Sequence, residues 1–186
     1  VYADSRYTNL LGQYTYTIYE YIIDFKNNTN WTVANEWNFD DGTNQGWSEY
    51  SSITDRYSVE GGGYSLEVTP GTVTSPSITL PTGQKVFIIA HNVFKITSTS
   101  GYISTIRYYW DNGVANDIIR LTKIGTLNPI HYSNGYWLSG ISTWGWFEFG
   151  MDVTPFAGET GNLKYYLAGN GYCDSWLDDI MIVYKP

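Results

Sequence analysis

The stretch Trp176-Leu177-Asp178-Asp179-Ile180-Met181-Ile182-Val183-Tyr184 sets two aspartates inside a run of aromatic and aliphatic residues. Such a run favours a pleated strand. A period of two places Trp176, Asp178, Ile180 and Ile182 on one face and Leu177, Asp179, Met181 and Val183 on the other. Both faces are apolar, so the strand is expected to be covered on both sides and each carboxylate to need a partner. A second acidic knot, Asp40-Asp41-Gly42, follows Trp37-Asn38-Phe39 in a similar setting. A hard cation held by oxygen ligands would neutralise both knots. The alternative is that turn amides, or Arg and Lys, satisfy them, although the chain has only 10 basic residues.

Outward from this strand, further strand-like runs cover 14–25, 64–69, 76–80, 85–96, 102–110, 117–124, 145–153 and 162–168. Turn signals separate them: Asp41-Gly42, Gly61-Gly62-Gly63, Thr82-Gly83, Asp111-Asn112-Gly113, Asn134-Gly135 and Gly158-Glu159-Thr160-Gly161. Almost no segment carries the 3.6-residue period of a capped amphipathic helix. The pattern predicts an all-β chain, a two-sheet antiparallel jelly-roll sandwich with an extended N-terminal strand arm.

Composition narrows the partners. With 186 residues the chain is long enough for one well-buried domain and short for two. Aromatic residues make up 18%, including 8 Trp and 18 Tyr, against 15% charged, which excludes a disordered chain or a coiled coil. The net charge of -8 lacks the basic footprint that nucleic acid requires, leaving cations, neutral sugars and protein surfaces. No apolar run is long enough to span a membrane. Cys173 is the only cysteine, so no internal disulfide forms, and with the scattered His91 and His131 it builds no zinc cluster. It reads as a small buried hydrophobe. The start Val1-Tyr2-Ala3-Asp4 suits a mature product after signal removal, or an excised piece. Sequons at Asn27 and Asn30 give weak further support for export to the cell surface or beyond.

Residues 1–34 stand apart from a jelly-roll domain expected over 35–186. Within the arm, Tyr14, Tyr16 and Ile18 share one face, and the apolar face then shifts to Tyr19, Tyr21, Ile23 and Phe25. That shift implies a bulge or a strand covered on both sides. A strand of this kind has to pair with a sheet, its own or a neighbour's.

From Phe39 onward the motifs run in order: Phe39-Asp40-Asp41-Gly42, then Gly61-Gly62-Gly63-Tyr64-Ser65-Leu66, Thr74-Ser75-Pro76-Ser77, the stretch 146–167, and the closing strand. This order resembles the jelly-roll domains called cleaved-adhesin, MAM-like or choice-of-anchor J, and is similar to calcium-bearing carbohydrate-binding modules of the same architecture. The resemblance implies a structural Ca2+ held by Asp40 or Asp41, by main-chain oxygens around Gly62, Gly63 and Tyr64, and by Asp178. A jelly roll hosts many unrelated roles, so the resemblance implies fold more firmly than function.

No catalytic site is legible. Glu148 and Asp152 lie on one face of a strand, four residues and roughly 13 Å apart, beyond the ~5–9.5 Å that glycosidase carboxylates require. Neither histidine sits in a triad context, and no nucleophile elbow occurs. Trp144, Trp146 and Glu148 oppose Phe147, Phe149 and Met151 on the same strand, so one face lines the core. The other is either a sugar-stacking platform, extended by Tyr108 and Trp110, or is covered by protein.

Two functions follow. In the first, the chain is a non-catalytic structural or adhesive subunit of an extracellular filament, tube or coat. Residues 14–25 would then complete a sheet of the next subunit in a contact that propagates into a homo-polymer. In the second, it is a calcium-stabilised carbohydrate-binding or adhesion module accessory to a secreted enzyme or surface protein. Sequence reasoning leans to the first.

Overall fold

The computed structural model describes residues 30–55, 63–83, 85–96, 103–114, 116–119, 121–123, 131–132, 136–138 and 147–186. They form two antiparallel sheets, and the only helical segment among them is the 3-10 turn Thr154–Phe156. The strands are β1 (Thr32–Trp37), β2 (Ser52–Thr54), β3 (Ser65–Val68), β4 (Gly71–Thr74), β5 (Ile78–Thr79), β6 (Lys85–Ile96) and β7 (Ile103–Asp111). The second half of the chain adds β8 (Asn116–Ile119), β9 (Leu121–Lys123), β10 (His131–Tyr132), β11 (Tyr136–Leu138), β12 (Phe147–Asp152), β13 (Thr160–Gly169) and β14 (Cys173–Lys185).

The first sheet runs β2-β3-β14-β6-β12-β9, with β1 also paired to β14; the second runs β10-β11-β7-β13-β4, with β5 on β13 and β8 on β7. This is the two-sheet jelly roll that the alternating runs predict. One device recurs: β7, β13 and β14 each share one edge between two short partners, while β6 lies between β14 and β12. On β14 the handover is at the second acidic knot, since β1 ends at Trp37↔Ile180 and β3 begins at Leu66↔Leu177.

Period-two patterning builds the core. From the first sheet Val86, Ile88, Ala90 and Phe94 of β6 and Phe147, Phe149 and Met151 of β12 point inward. From the second come Ile106, Tyr108 and Trp110 of β7 and Leu163, Tyr165 and Leu167 of β13. Two buried phenols bridge the layers: Tyr108 donates to Asn92 Oδ1 at 2.8 Å, and Tyr165 to Ser175 Oγ at 2.9 Å. A buried hydroxyl needs such an acceptor, and burial pushes both phenols well above their usual pKa, so both stay protonated donors. Cys173 is buried in the same core, as a small hydrophobe should be.

Three expectations change. The sheet begins inside the segment assigned to the arm: Thr32 and Val33 already pair with Tyr184 and Val183, and Trp31 packs on Phe87. The strict alternation read for the closing strand breaks at a bulge between Asp178 and Met181, where Asp179 takes φ 43°. Leu177 therefore shares the core with Ile180 and Ile182, while Met181 and Val183 join Trp31, Phe87 and Ile89 on the outer face. An extra residue in one strand turns every following side chain over. Lastly, Asp40 and Asp41 are exposed, so the burial argument holds for Asp178 alone, which is 2% exposed.

Candidate functional site

The first acidic knot follows β1, whose last pair, Trp37↔Ile180, lies two residues along β14 from Asp178. Beyond β1 the chain turns through Phe39, at φ 56°, with Gly42 N–H donating to Phe39 O at 2.9 Å. This turn lies against the approach to β3. Asp40 packs so tightly on Gly63 that a Cβ there would fall 1.6 Å from Asp40 Oδ1, and a Cβ on Gly42 would meet the Tyr64 ring at 3.7 Å. Asp41 has a different task. Its carboxylate accepts the backbone N–H of Thr43 at 2.9 Å and the Thr43 hydroxyl at 2.8 Å. These bonds, the backbone one first, hold its pKa below the usual carboxylate value. Asp178 Oδ1 accepts the Asp179 N–H at 2.9 Å. Among the described residues no group of three or more His, Cys, Asp or Glu side chains is arranged to hold a metal ion, so any cation here would need main-chain oxygens as well. Gly62 lies outside the described residues.

Glu148 sits on the outer face of the first sheet, in register with His91, which is in register with Asp178. Glu148 Oε1 lies 3.5 Å from His91 Nε2, and His91 Nδ1 lies 3.3 Å from Asp179 O. Around this row the face is dry: Phe87, Ile89, Val93, Trp176 and Val183 are each 2% exposed or less. Trp144 and Trp146, expected to stack sugars beside Glu148, lie outside the described residues, as do Asn27 and the arm residues 14–25. Asn30 is exposed. Tyr108 and Trp110 are fully buried and so cannot extend a platform; Trp110 spends its indole N–H on Glu159 Oε2 at 3.1 Å.

The second sheet is different. Its outer face carries Arg107 and Tyr109 on β7, in register with Tyr166 and Lys164 on β13, and all four side chains are partly exposed. The tyrosines sit on a diagonal of this square, the cations on the other. Lys164 pairs with Asp111, whose pKa falls through that bond first and the Gly113 N–H second. Arg107 makes one long contact, from a terminal nitrogen to Tyr109 Oη at 3.5 Å. Sequence reasoning missed this square. The signal was there: Arg107 and Asp111 share a parity with Tyr109, so charge marks the odd positions as the outer side of β7.

With fold and faces defined, the class of protein is a jelly-roll β-sandwich, and solved structures agree. The chain is similar to the CBM27-1 module of Caldicellulosiruptor saccharolyticus, solved in complex with mannohexaose: 11% identity, 85% of this chain and 98% of that one covered, TM-score 0.51. It is also similar to the tandem CBM22-1-CBM22-2 domain of Paenibacillus barcinonensis Xyn10C: 15% identity, 83% and 46% covered, TM-score 0.51. The K3 cleaved-adhesin domain of Lys-gingipain from Porphyromonas gingivalis matches at 11% identity over 83% of this chain and 91% of that one, with a TM-score of 0.39. Identities this low establish shared fold alone. No protein-family model and no curated protein matches the chain.

Proposed function

We propose that this domain is a non-catalytic carbohydrate-binding module, secreted or displayed at the cell surface, that lays a glycan on the outer face of its second sheet. The observation that carries the reading is the contrast between the sheets. The centre of the first sheet's outer face is closed over large apolar residues, Phe87, Ile89, Val93, Trp176 and Val183, whereas the second keeps Tyr109 and Tyr166 partly exposed, with no aromatic partner among the described residues. A pyranose offers an apolar C–H face and a rim of hydroxyls, and an exposed phenol matches both. Likeness in fold to a module solved with mannohexaose supports the same reading. It displaces the filament expectation, whose donor strand 14–25 lies outside the described residues. Among the described residues no helix is long and apolar enough to cross a membrane.

The test is calorimetric titration with soluble xylan, mannan and galactan oligosaccharides. Tyr109→Ala and Tyr166→Ala are each expected to weaken the preferred ligand about five- to tenfold, the loss of roughly 1 kcal/mol of stacking. A double variant that binds like the parent would remove this face from consideration.

Calcium belongs to the same proposal as a stabiliser. The donor chemistry fits, because Asp40 and Asp178 are hard oxygen donors, and Gly63 lets main chain approach the Asp40 carboxylate. Asp41 is the poorer candidate because Thr43 already occupies its carboxylate. Tyr64 could contribute main-chain oxygen. In this arrangement a bound ion would fasten β1 and β3 to β14, away from the glycan face.

A further inference from the structure

We infer that the glycan face is built for a carboxylate-bearing sugar, a hexuronate, and that Arg107 is the residue that reads it; the inference rests on the carbohydrate-binding reading above. Arg107 is partly buried on the open sheet, yet no carboxylate lies within ion-pair distance of it among the described residues. Its Nε is fully buried and has no hydrogen-bond acceptor. Its one hydrogen bond among the described residues, to Tyr109 Oη, is at the outer limit of hydrogen-bond length.

The other cation of the square is neutralised, since Lys164 is held by Asp111. An unmatched guanidinium half out of water is costly to keep unless something completes it. Its planar fork matches a carboxylate, which accepts two parallel N–H bonds, better than it matches a single hydroxyl. Position adds to the match. Tyr166 faces Arg107 directly across the strands and Tyr109 lies two residues along the same strand, so a ring seated on either phenol brings its exocyclic group toward the guanidinium. A hexuronate supplies both parts, an apolar ring face and a carboxylate at C5. The chain's net charge of -8 excludes diffuse attraction of polyanions, so recognition would rest on one discrete contact rather than on a basic patch.

The experiment titrates the full chain with oligogalacturonate and oligoglucuronate, and with the same oligosaccharides after carboxyl reduction to the neutral sugars. The parent is expected to bind one acidic form about tenfold or more tighter than its reduced counterpart. Arg107→Gln should erase that preference, bringing affinity for the acidic form down to that for the reduced form, and Arg107→Lys should restore only part of it. Melting of each variant checks folding; Arg107→Gln is expected to melt no lower than the parent, because it removes an unmatched charge. Equal affinity for acidic and reduced forms, or a preference that survives Arg107→Gln, overturns the uronate inference and leaves the module reading standing. If the parent binds neither these sugars nor neutral xylan, mannan or galactan, the module reading itself falls, and this inference with it.

Discussion

Gly161 shows how little room the second sheet leaves where β13 passes β7. A Cβ at this position would lie 2.5 Å from Asp111 O and 3.0 Å from Trp110 Cζ2, and neither a backbone carbonyl nor a buried indole can step aside cheaply. Gly161→Ala is therefore expected to cost about 1–3 kcal/mol in urea unfolding, an overpacking penalty at a site with no slack. Asp111 gives a pH signature beside it. Its folded pKa lies below the ordinary 3.8 through Lys164 and the Gly113 N–H, so the stabilisation is present above that value and is lost as pH falls through the folded pKa. Asp111→Asn should be less stable than the parent at neutral pH, and the gap in urea midpoint should narrow as pH falls below 3.8. A gap that stays constant over that range would mean that charge is not what Asp111 contributes.

At the scale of the element, β14 holds the lesson. Its composition marks it as a strand, and period two then assigns its faces, yet the single residue Asp179 at φ 43° reverses that assignment for the rest of the strand. A left-handed residue costs a side chain with a Cβ roughly 1–2 kcal/mol, and β-branched residues more. Asp179→Gly is expected to be neutral or slightly stabilising, and Asp179→Val to lower stability by at least about 2 kcal/mol. Deleting Asp179 should abolish cooperative unfolding and the near-ultraviolet circular dichroism signal, because Ile180 and Ile182 would turn outward; a deletion that folds normally would show that the bulge does not set the register. Strand β7 is the opposite case. Its charged residues at odd positions mark Tyr109 as outward, whereas Tyr108 and Trp110, offered by the sequence reading as an extension of a sugar platform, are buried.

The whole molecule decides whether the two knots act together. If calcium ties them, the melting temperature should rise by several degrees in excess calcium over chelator, since a ligand that binds only the folded state stabilises it by mass action. Asp178→Asn should abolish that increment while keeping an acceptor for the Asp179 N–H. Equal melting with and without calcium in the parent would remove the ion from the account. The sequence by itself determined the all-β class and most of the described strands, down to β6 at 85–96, because pleating and turn chemistry are local and leave their period in the chain. Short strands such as β1 and β4 left no such trace, because their stability comes from the long strands β14 and β13 on which they lean. Only tertiary structure decided which faces stay open, where β14 turns over, and that Arg107, Tyr109, Lys164 and Tyr166 share one square. Those facts depend on register between strands distant in sequence, and register is settled by packing of the two layers rather than by any one strand's own residues.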